Sequence, residues 1–451
     1  MSEKKDFKVA VVSLGCAKNQ VDAEQMMATL ADAGYSFAEE PGLSDIVLLN
    51  TCGFITAAKE EAIEWLNELI TLKNEGTIKY IVVTGCLSER YRDEFEKEYP
   101  EVDAIVGIAE YGHIAEIIDK MTNGETNGQI CCYGKKEEHS MEGKRILSTM
   151  SHYAYLRIAD GCDNCCTYCA IPQIRGRYRS RPIENIVKEA RELADKGVKE
   201  LVVIAQDTTR YGLDLYNKLS LADLLNELCK IDGLKWIRVL YAYPERITDE
   251  LIDVIANQDK VVKYLDIPLQ HCDGSILKRM NRHGDENSLR ALVAKLRERI
   301  PGITLRTTFI TGFPGETEEQ FNRLGEFAED MKFERMGCFA YSEEEGTIAA
   351  TMPDQIDEEV REHRKEILEE QQDTRVAEMY EAMVGDEAEV VVEGYDRYLE
   401  HYFGRSAMFA PEIDGMIYFT APKERKLKVG EFVNVRFNDV LDNNLIGELV
   451  L

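Results

Sequence analysis

No apolar run in this 451-residue sequence reaches the roughly 20 residues that a membrane-spanning helix requires. The start, MSEKKDFKVAVV, is charged and lacks the apolar core of a signal peptide before a first strand begins. Both absences point to the cytoplasm and away from membranes. Basic residues are in short supply, with 54 Lys and Arg against 83 Asp and Glu and a net charge of −29. Such a surface repels nucleic-acid phosphate unless a local basic patch intervenes, and it suits a basic partner or plain solubility. There is no internal repeat and no low-complexity tract. Hydrophobic residues make up 44 %, enough for several cores, which excludes a disordered chain.

At roughly 150 residues per domain the length implies about three domains. The first part alternates strand and helix: strands at Phe7–Gly15, Asp45–Asn50, Lys79–Thr84 and Asp103–Gly107, helices at Asp22–Ala33, Ala57–Leu72 and His113–Met121. That order predicts a doubly wound parallel sheet over residues 1–130. Residues 122–150 break the pattern with Thr-Asn-Gly repeats and the charged stretch Lys135–Glu138, so a linker is placed at 131–150, with a short strand at Gln129–Tyr133. Over 151–383 six further strands alternate with helices, at Tyr155–Ala159, Glu200–Ala205, Trp236–Tyr241, Tyr264–Pro268, Thr304–Ile310 and Met336–Tyr341. Six β/α units fit a partial TIM-type (β/α)6 barrel, closed by the long helix Asp357–Met383. From 384 to 451 the period changes to two, with strands at Glu387–Glu393, Gly415–Thr420 and Glu431–Asn438. This predicts a small antiparallel β-barrel.

The twelve cysteines carry the chemistry. In a cytosolic protein, clustered cysteines indicate metal binding or catalysis rather than disulfides. Cys162, Cys166 and Cys169 form a CxxxCxxC loop just past the first barrel strand, where barrel enzymes keep their active sites. A cubane has four irons, so three cysteines leave one open. That iron can chelate the amino and carboxylate groups of S-adenosylmethionine. The competing reading is structural zinc, which closes its tetrahedron with a fourth ligand. No partner CxxC follows at the required distance. Cys165 cannot start a second frame, because its third position is Pro172.

A second set is dispersed. Cys16, Cys52 and Cys86 each follow a strand of the first sheet, and parallel strand ends share one edge, where open α/β folds bind ligands. Three cysteines converging there again imply a cluster with one open iron. Softer features share the barrel mouth. The turn Thr311–Glu316, with Gly312 and Pro314, lets backbone approach a ligand such as adenine. Gln206-Asp207 and Gln270-His271 follow other strands, and His271 is a candidate for proton transfer or a structural hydrogen bond. Arg175, Arg177, Arg179 and Arg181 alternate, so an extended chain would place them on one face, either to hold carboxylates or phosphates or as a solvated edge. Cys131, Cys132, Cys229, Cys272 and Cys338 read as packing residues. Tyr168, Gln206, Arg306, Gly312 and Pro314 are the candidate S-adenosylmethionine contacts. No catalytic residue beyond the six cluster cysteines is assigned.

Several stretches resemble the methylthiotransferase family of radical S-adenosylmethionine enzymes, in particular its ribosomal-protein branch. They are Ser13-Leu14-Gly15-Cys16-Ala17-Lys18-Asn19 with Val21-Asp22, Ala205-Gln206-Asp207-Thr208-Thr209, Asp266-Ile267-Pro268-Leu269-Gln270-His271 and Tyr341-Ser342-Glu343-Glu344-Glu345-Gly346-Thr347. Gly404-Arg405-Ser406 with Ala410-Pro411-Glu412 is similar to the same branch. The resemblance spans essentially the whole chain: an N-terminal cluster domain, a radical barrel and a C-terminal TRAM β-barrel. It implies two 4Fe-4S clusters, a radical one on Cys162, Cys166 and Cys169 and an auxiliary one on Cys16, Cys52 and Cys86. It also implies methylthiolation of the β-carbon of an aspartate in the twelfth small-subunit ribosomal protein. One S-adenosylmethionine would give the methyl group and another the radical. An electron donor such as flavodoxin or ferredoxin and a monomeric state go with this reading.

Two other readings compete. A transfer RNA methylthiotransferase would want a basic C-terminal domain, whereas residues 384–451 hold 13 acids and 7 bases, a net of −6. A non-catalytic iron–sulfur sensor or RNA-binding protein has no need of a complete barrel with an open-iron motif. The acids Glu387, Glu389, Glu393, Asp396, Glu412 and Asp414 make the small barrel a candidate surface for a basic ribosomal protein.

Overall fold

The computed structural model describes residues 5–125 and 128–450. Thr126 and Asn127, in the second Thr-Asn-Gly repeat, lie outside the described residues. The chain forms two compact units. The first takes the chain up to Ser148 together with Ala159–Arg181 and Ser342–Ala350. The second takes Thr149–Ile158, Pro182–Tyr341 and the chain from Thr351 onward.

The first unit is built on six parallel strands: β1 (Lys8–Ser13), β2 (Ser36–Phe37), β3 (Ile46–Thr51), β4 (Tyr80–Gly85), β5 (Ala104–Val106) and β6 (Ile130–Cys132), in the order β2-β1-β3-β4-β5-β6. Alternation along the strands divides the core in two. Val9, Ile46, Leu48, Val82 and Ala104 pack with the helices Ala17–Asp32 and Ile114–Thr122 on one face. Ala10, Val47, Leu49, Ile81 and Ile105 pack with the helix Thr56–Asn74 on the other. Helices on both faces make the sheet doubly wound, as the strand–helix alternation predicts. The order reverses between β1 and β3, so the crevice at the switch point opens beside the loops that carry Cys16 and Cys52. The helix after β1 starts at Ala17, five residues before the periodicity predicts, because Cys16, Asn19 and Asp22 put polar residues on its buried face.

In the second unit, β7 (Tyr153–Arg157) is followed, after the pair β8 (Ala159–Asp160) and β9 (Arg179–Ser180) of the first unit, by β10 (Glu200–Ile204), β11 (Trp236–Val239), β12 (Val261–Gln270), β13 (Thr304–Thr311) and β14 (Arg335–Ala340). These strands run parallel in the order β14-β13-β12-β11-β10-β7, an open six-stranded sheet alternating with helices. The expected six β/α units are therefore present. Their helices begin where the sequence supplies caps. Asp285 and Thr317 close capping boxes at Glu286–Arg299 and Glu318–Met331.

The C-terminal barrel is closed by β15 (Glu387–Asp396), β16 (His401–Ser406), β17 (Ile417–Thr420), β18 (Phe432–Leu441) and β19 (Asn444–Leu449). One of its pairs, β17 with β19, is parallel, so it is not purely antiparallel. The barrel is fixed to the base of the β/α sheet by buried charge. Arg405 donates to Glu200 at 3.0 Å, to Glu393 at 2.7 Å and to the Phe409 carbonyl at 3.0 Å. Arg238 donates to Glu200 at 2.8 Å and to the Ala407 carbonyl at 2.8 Å. His152 stands 3.1 Å from Glu393.

Internal partners engage the acids of the small barrel, although Glu387, Glu389 and Glu412 stay exposed. Glu412 accepts the Tyr153 and Tyr155 hydroxyls at 2.6 and 2.9 Å. Asp414 accepts the Tyr264 hydroxyl at 2.7 Å. Glu387 pairs with Arg436, Glu389 with Lys235, and Asp396 receives the amides of Tyr398 and Leu399. With Glu393 held by Arg405, all six acids have internal partners.

Candidate metal centre

The three dispersed cysteines meet at the carboxyl edge of the first sheet. Cys16 caps the helix Ala17–Asp32, and Cys86 opens the short helix Cys86–Arg90. Gly15 has φ +89°, and a Cβ there would lie 2.6 Å from Cys52 Cβ and 2.9 Å from Cys52 Sγ. Only glycine allows the β1 and β3 loops to come this close. Gly85, at φ +101°, does the same for the β4 loop, since a Cβ would sit 2.3 Å from the Thr51 carbonyl. Asn19 stitches the three loops. It is fully buried and donates to the carbonyls of Leu14 (3.1 Å) and Thr51 (2.8 Å), while its Oδ1 lies 3.4 Å from Cys86 Sγ.

The thiols feel one another. Burial pushes the Cys86 thiol up to about 12, and burial with the neighbouring Cys16 charge raises Cys52. At Cys16 burial also raises the value. Lys18, Arg175 and two backbone amides outweigh it, so the net direction is down. The second of these charges, after Lys18, is the fully buried Arg175. Arg175 Nη2 donates to Asn19 Oδ1 at 2.7 Å and to Asp22 Oδ2 at 2.7 Å, and lies 3.7 Å from Cys86 Sγ. Its Nη1 is 3.4 Å from Asp160. His139 approaches Asp22 at 3.5 Å and Asp160 at 3.8 Å.

The CxxxCxxC loop belongs to the same unit. It runs from β8 to the helix Ile171–Arg175, with the Cys162 amide donating to the Gly176 carbonyl at 3.1 Å and the Cys169 amide to the Cys166 carbonyl at 3.0 Å. Burial raises the Cys169 thiol, and the Cys166, Cys162 and Cys165 charges raise it further. Cys162, Cys166 and Cys169 are half-buried, whereas Cys165 is exposed at φ +52°. Cys165 thus differs from its three neighbours in exposure and backbone conformation. Among the described residues no group of three His, Cys, Asp or Glu is closed tightly enough for a single metal ion. A cubane makes a different demand, because its ligands bind separate irons and stand farther apart. Three mutually repelling thiolates with a fourth corner left open fit such a cluster, and both triads have this donor set.

The segment Ser342–Ala350, which follows β14, straps the two loops together. Its buried Glu344 pairs with Lys59 at 2.9 Å and with Arg90 at 2.7 Å. Arg90 also donates to the Gly53 carbonyl beside Cys52. The Ala349 amide donates to the Thr167 carbonyl inside the CxxxCxxC loop, and Gln173 donates to the Gly346 carbonyl. Sequence reasoning did not assign Asn19, Asp22, His139, Arg90 or Glu344 any role. The signal available was polar residues three and six positions after Cys16 on a helix that must bury that face.

Of the candidate cofactor contacts, Tyr168 lies half-buried in the first unit. Gln206, Arg306, Gly312 and Pro314 belong to the second unit. Gln206 follows β10. Arg306 sits near the start of β13, bound to Asp266 at 3.0 Å and facing Asp414 at 3.8 Å, six residues before Gly312. The Gly312 turn is closed from within. Glu316 accepts the amides of Gly312 and Phe313 at 2.5 and 3.2 Å and pairs with Arg364, while burial pushes its carboxyl up to about 7. His271 is fully buried, and its Nδ1 accepts the Asp273 amide at 2.9 Å. Burial holds its pKa down at about 4, which makes it a neutral structural histidine. The four alternating arginines do not form one face. Arg175 ends a helix, Arg179 donates to the His139 carbonyl, Arg181 grips Glu142, and Arg177 is exposed.

Comparison with known proteins bears on this geometry. Residues 8–107 match the model of "Uncharacterized protein family UPF0004", residues 156–328 the radical SAM superfamily and residues 384–450 the TRAM domain. A Thermoanaerobacter sp. protein named ribosomal protein uS12 methylthiotransferase RimO is 48 % identical over 98 % of this chain and 99 % of its own. A Clostridium tetani protein of the same name is 46 % identical over 98 % of each. Among solved structures, the radical S-adenosylmethionine methyltransferase TsrM of Kitasatospora setae, with cobalamin and a [4Fe-4S] cluster bound, has a TM-score of 0.57 at 15 % identity and covers 75 % of each chain. The cobalamin-dependent radical enzyme OxsB has a TM-score of 0.53 at 15 % identity, over 82 % of this chain and 56 % of its own. At such identities these two likenesses concern the fold alone. Full-length similarity to curated relatives does more: the chain belongs to the RimO family of radical S-adenosylmethionine methylthiotransferases.

Proposed function

We propose that this enzyme methylthiolates the β-carbon of an aspartate in ribosomal protein uS12, with two four-iron clusters and two molecules of S-adenosylmethionine per product. The observation that supports it most is the gathering of two cysteine triads, Cys16/Cys52/Cys86 and Cys162/Cys166/Cys169, in one compact unit of a chain 48 % identical to RimO relatives. When bound, the clusters would supply an electron to cleave S-adenosylmethionine and an open iron to hold sulfur. The chain's own residues hold the geometry. Asn19 and the Gly15 and Gly85 turns set the auxiliary thiols side by side, and the Glu344 strap fixes the loop of the radical triad. In this reading residues 1–130, 151–383 and 384–451 are the cluster, radical and TRAM domains; Tyr168 in the first unit and Gln206, Gly312 and Pro314 in the second remain candidate S-adenosylmethionine contacts, whereas Arg306 is taken up by Asp266 and Asp414. No helix among the described residues is long and apolar enough to cross a membrane. A cytoplasmic monomer reduced by a flavodoxin or ferredoxin fits that fact and the substrate. Transfer RNA is not expected to be modified.

The test is anaerobic turnover of the reconstituted enzyme with uS12, reductant and S-adenosylmethionine, followed by mass spectrometry. A methylthio group on one uS12 aspartate is the expected result. Modification of transfer RNA, or 5′-deoxyadenosine release with unmodified uS12, would overturn the reading.

A further inference from the structure

Arg175 stands out among the buried charges of the first unit. It is 2 % exposed, and it is carried by the helix Ile171–Arg175 that continues the CxxxCxxC loop, six residues after Cys169. Yet its guanidinium reaches into the other triad. Nη2 donates to Asn19, the residue that stitches the Cys16, Cys52 and Cys86 loops, and lies 3.7 Å from Cys86 Sγ. Two carboxylates, Asp22 at 2.7 Å and Asp160 at 3.4 Å, hold it in place. A planar fork held from two sides is a rigid donor, unlike a lysine point charge.

We propose that Arg175 is a positioning residue of the auxiliary cluster, one side chain that sets a buried positive charge against the Cys86 sulfur from the loop of the radical cluster. This rests on the reading of Cys16, Cys52 and Cys86 as ligands. Hydrogen bonds to cluster sulfurs and nearby net charge are main determinants of cluster potential. A cation against a ligand sulfur favours the reduced, more negative state, and so raises the potential. Because Arg175 is anchored on the CxxxCxxC side, the geometry and potential of one cluster depend on the loop that holds the other. Asp22 tempers the effect by sharing the guanidinium charge.

The experiment uses the full chain with Cys162, Cys166 and Cys169 replaced by alanine, reconstituted anaerobically with iron and sulfide, so that one cluster remains. Redox titration followed by electron paramagnetic resonance reads its potential and signature. Arg175→Met should shift the midpoint to more negative values, and Arg175→Lys should recover part of the shift. Asp22→Asn, which leaves the arginine charge unshared, should shift it the opposite way. Equal midpoints in the parent and both Arg175→Met and Asp22→Asn would overturn the proposal. Should Arg175→Met take up no iron, Arg175→Gln takes its place, and a midpoint equal to the parent's in that variant would overturn the proposal. A parent that binds no iron refutes the ligand reading first, and the role of Arg175 with it.

Discussion

Replacing Arg405 by methionine probes how the C-terminal barrel is held to the base of the β/α sheet. Arg405 is 1 % exposed and satisfies two carboxylates, Glu200 and Glu393, and the Phe409 carbonyl. Methionine fills much of the volume but leaves these acceptors short of a donor in a dry interior. Glu200 keeps Arg238 at 2.8 Å, and Glu393 keeps only His152 at 3.1 Å. The strained partner is therefore Glu393, which is 6 % exposed. Breaking one side of a buried ion pair costs about 3–5 kcal/mol, because the surviving charge stays uncompensated. Arg238 and His152 relieve part of it, so a loss of about 3 kcal/mol is expected. Urea denaturation monitored in the far ultraviolet measures it, with the midpoint and slope fitted separately. Adding Glu393→Leu to Arg405→Met should recover at least about 1 kcal/mol, since a well-packed apolar pair often replaces a buried ion pair without loss. A destabilisation below about 1 kcal/mol for Arg405→Met, or no recovery in the double variant, would refute the idea that buried charge fixes the barrel.

Three further outcomes are expected. Reconstituted protein should bind about eight irons per chain, and the combined alanine replacement of Cys162, Cys166 and Cys169 should leave about four; zinc in place of iron would discard the assignment. Cys16→Ala should still cleave S-adenosylmethionine to 5′-deoxyadenosine while yielding no methylthio product, whereas Cys166→Ala should lose both, as product analysis by mass spectrometry would register. The buried His271, held near 4 by desolvation against an unfolded value near 6.5, makes stability fall as pH drops from about 6.5 to 4, because the unfolded chain then binds the extra proton. The loss amounts to about 3 kcal/mol from this residue, and a denaturation series from pH 7 to 4 on His271→Gln should show a correspondingly flatter acid limb.

Periodicity and cysteine placement carried much of the architecture. Apolar strand residues that alternate between two packed faces gave the doubly wound sheet, because each of β1, β3 and β4 must bury both sides. The C-terminal barrel was less legible. The segments around β16 and β19 carry Gly404 and Gly447, which weaken a strand pattern. In the structure a Cβ at these positions would lie 2.0 Å from the Val391 carbonyl and 2.4 Å from the Arg436 carbonyl, so the crossing of neighbouring backbone is what demands glycine there. The parallel β17–β19 pair was hidden because register between distant strands leaves no local trace.

The acids of residues 384–451 show the same limit for charge. Sequence composition counts a carboxylate as surface potential, whereas Glu393 and Asp414 are taken up inside the fold by Arg405 and Tyr264. The same holds at the candidate metal centre. Arg175 looked like one of four alternating arginines for an outside anion, yet its anions are Asp22 and Asp160, and the group it faces beyond them is a cysteine sulfur. What decides between the two readings is burial: a guanidinium excluded from water must be matched within the fold. The match made here connects residues 153 positions apart, Asp22 and Arg175, across the two loops that bear the cysteines. The proposed two-cluster chemistry would require the separation of the two triads to be fixed, and a buried arginine held by carboxylates fixes it more firmly than an exposed pair could.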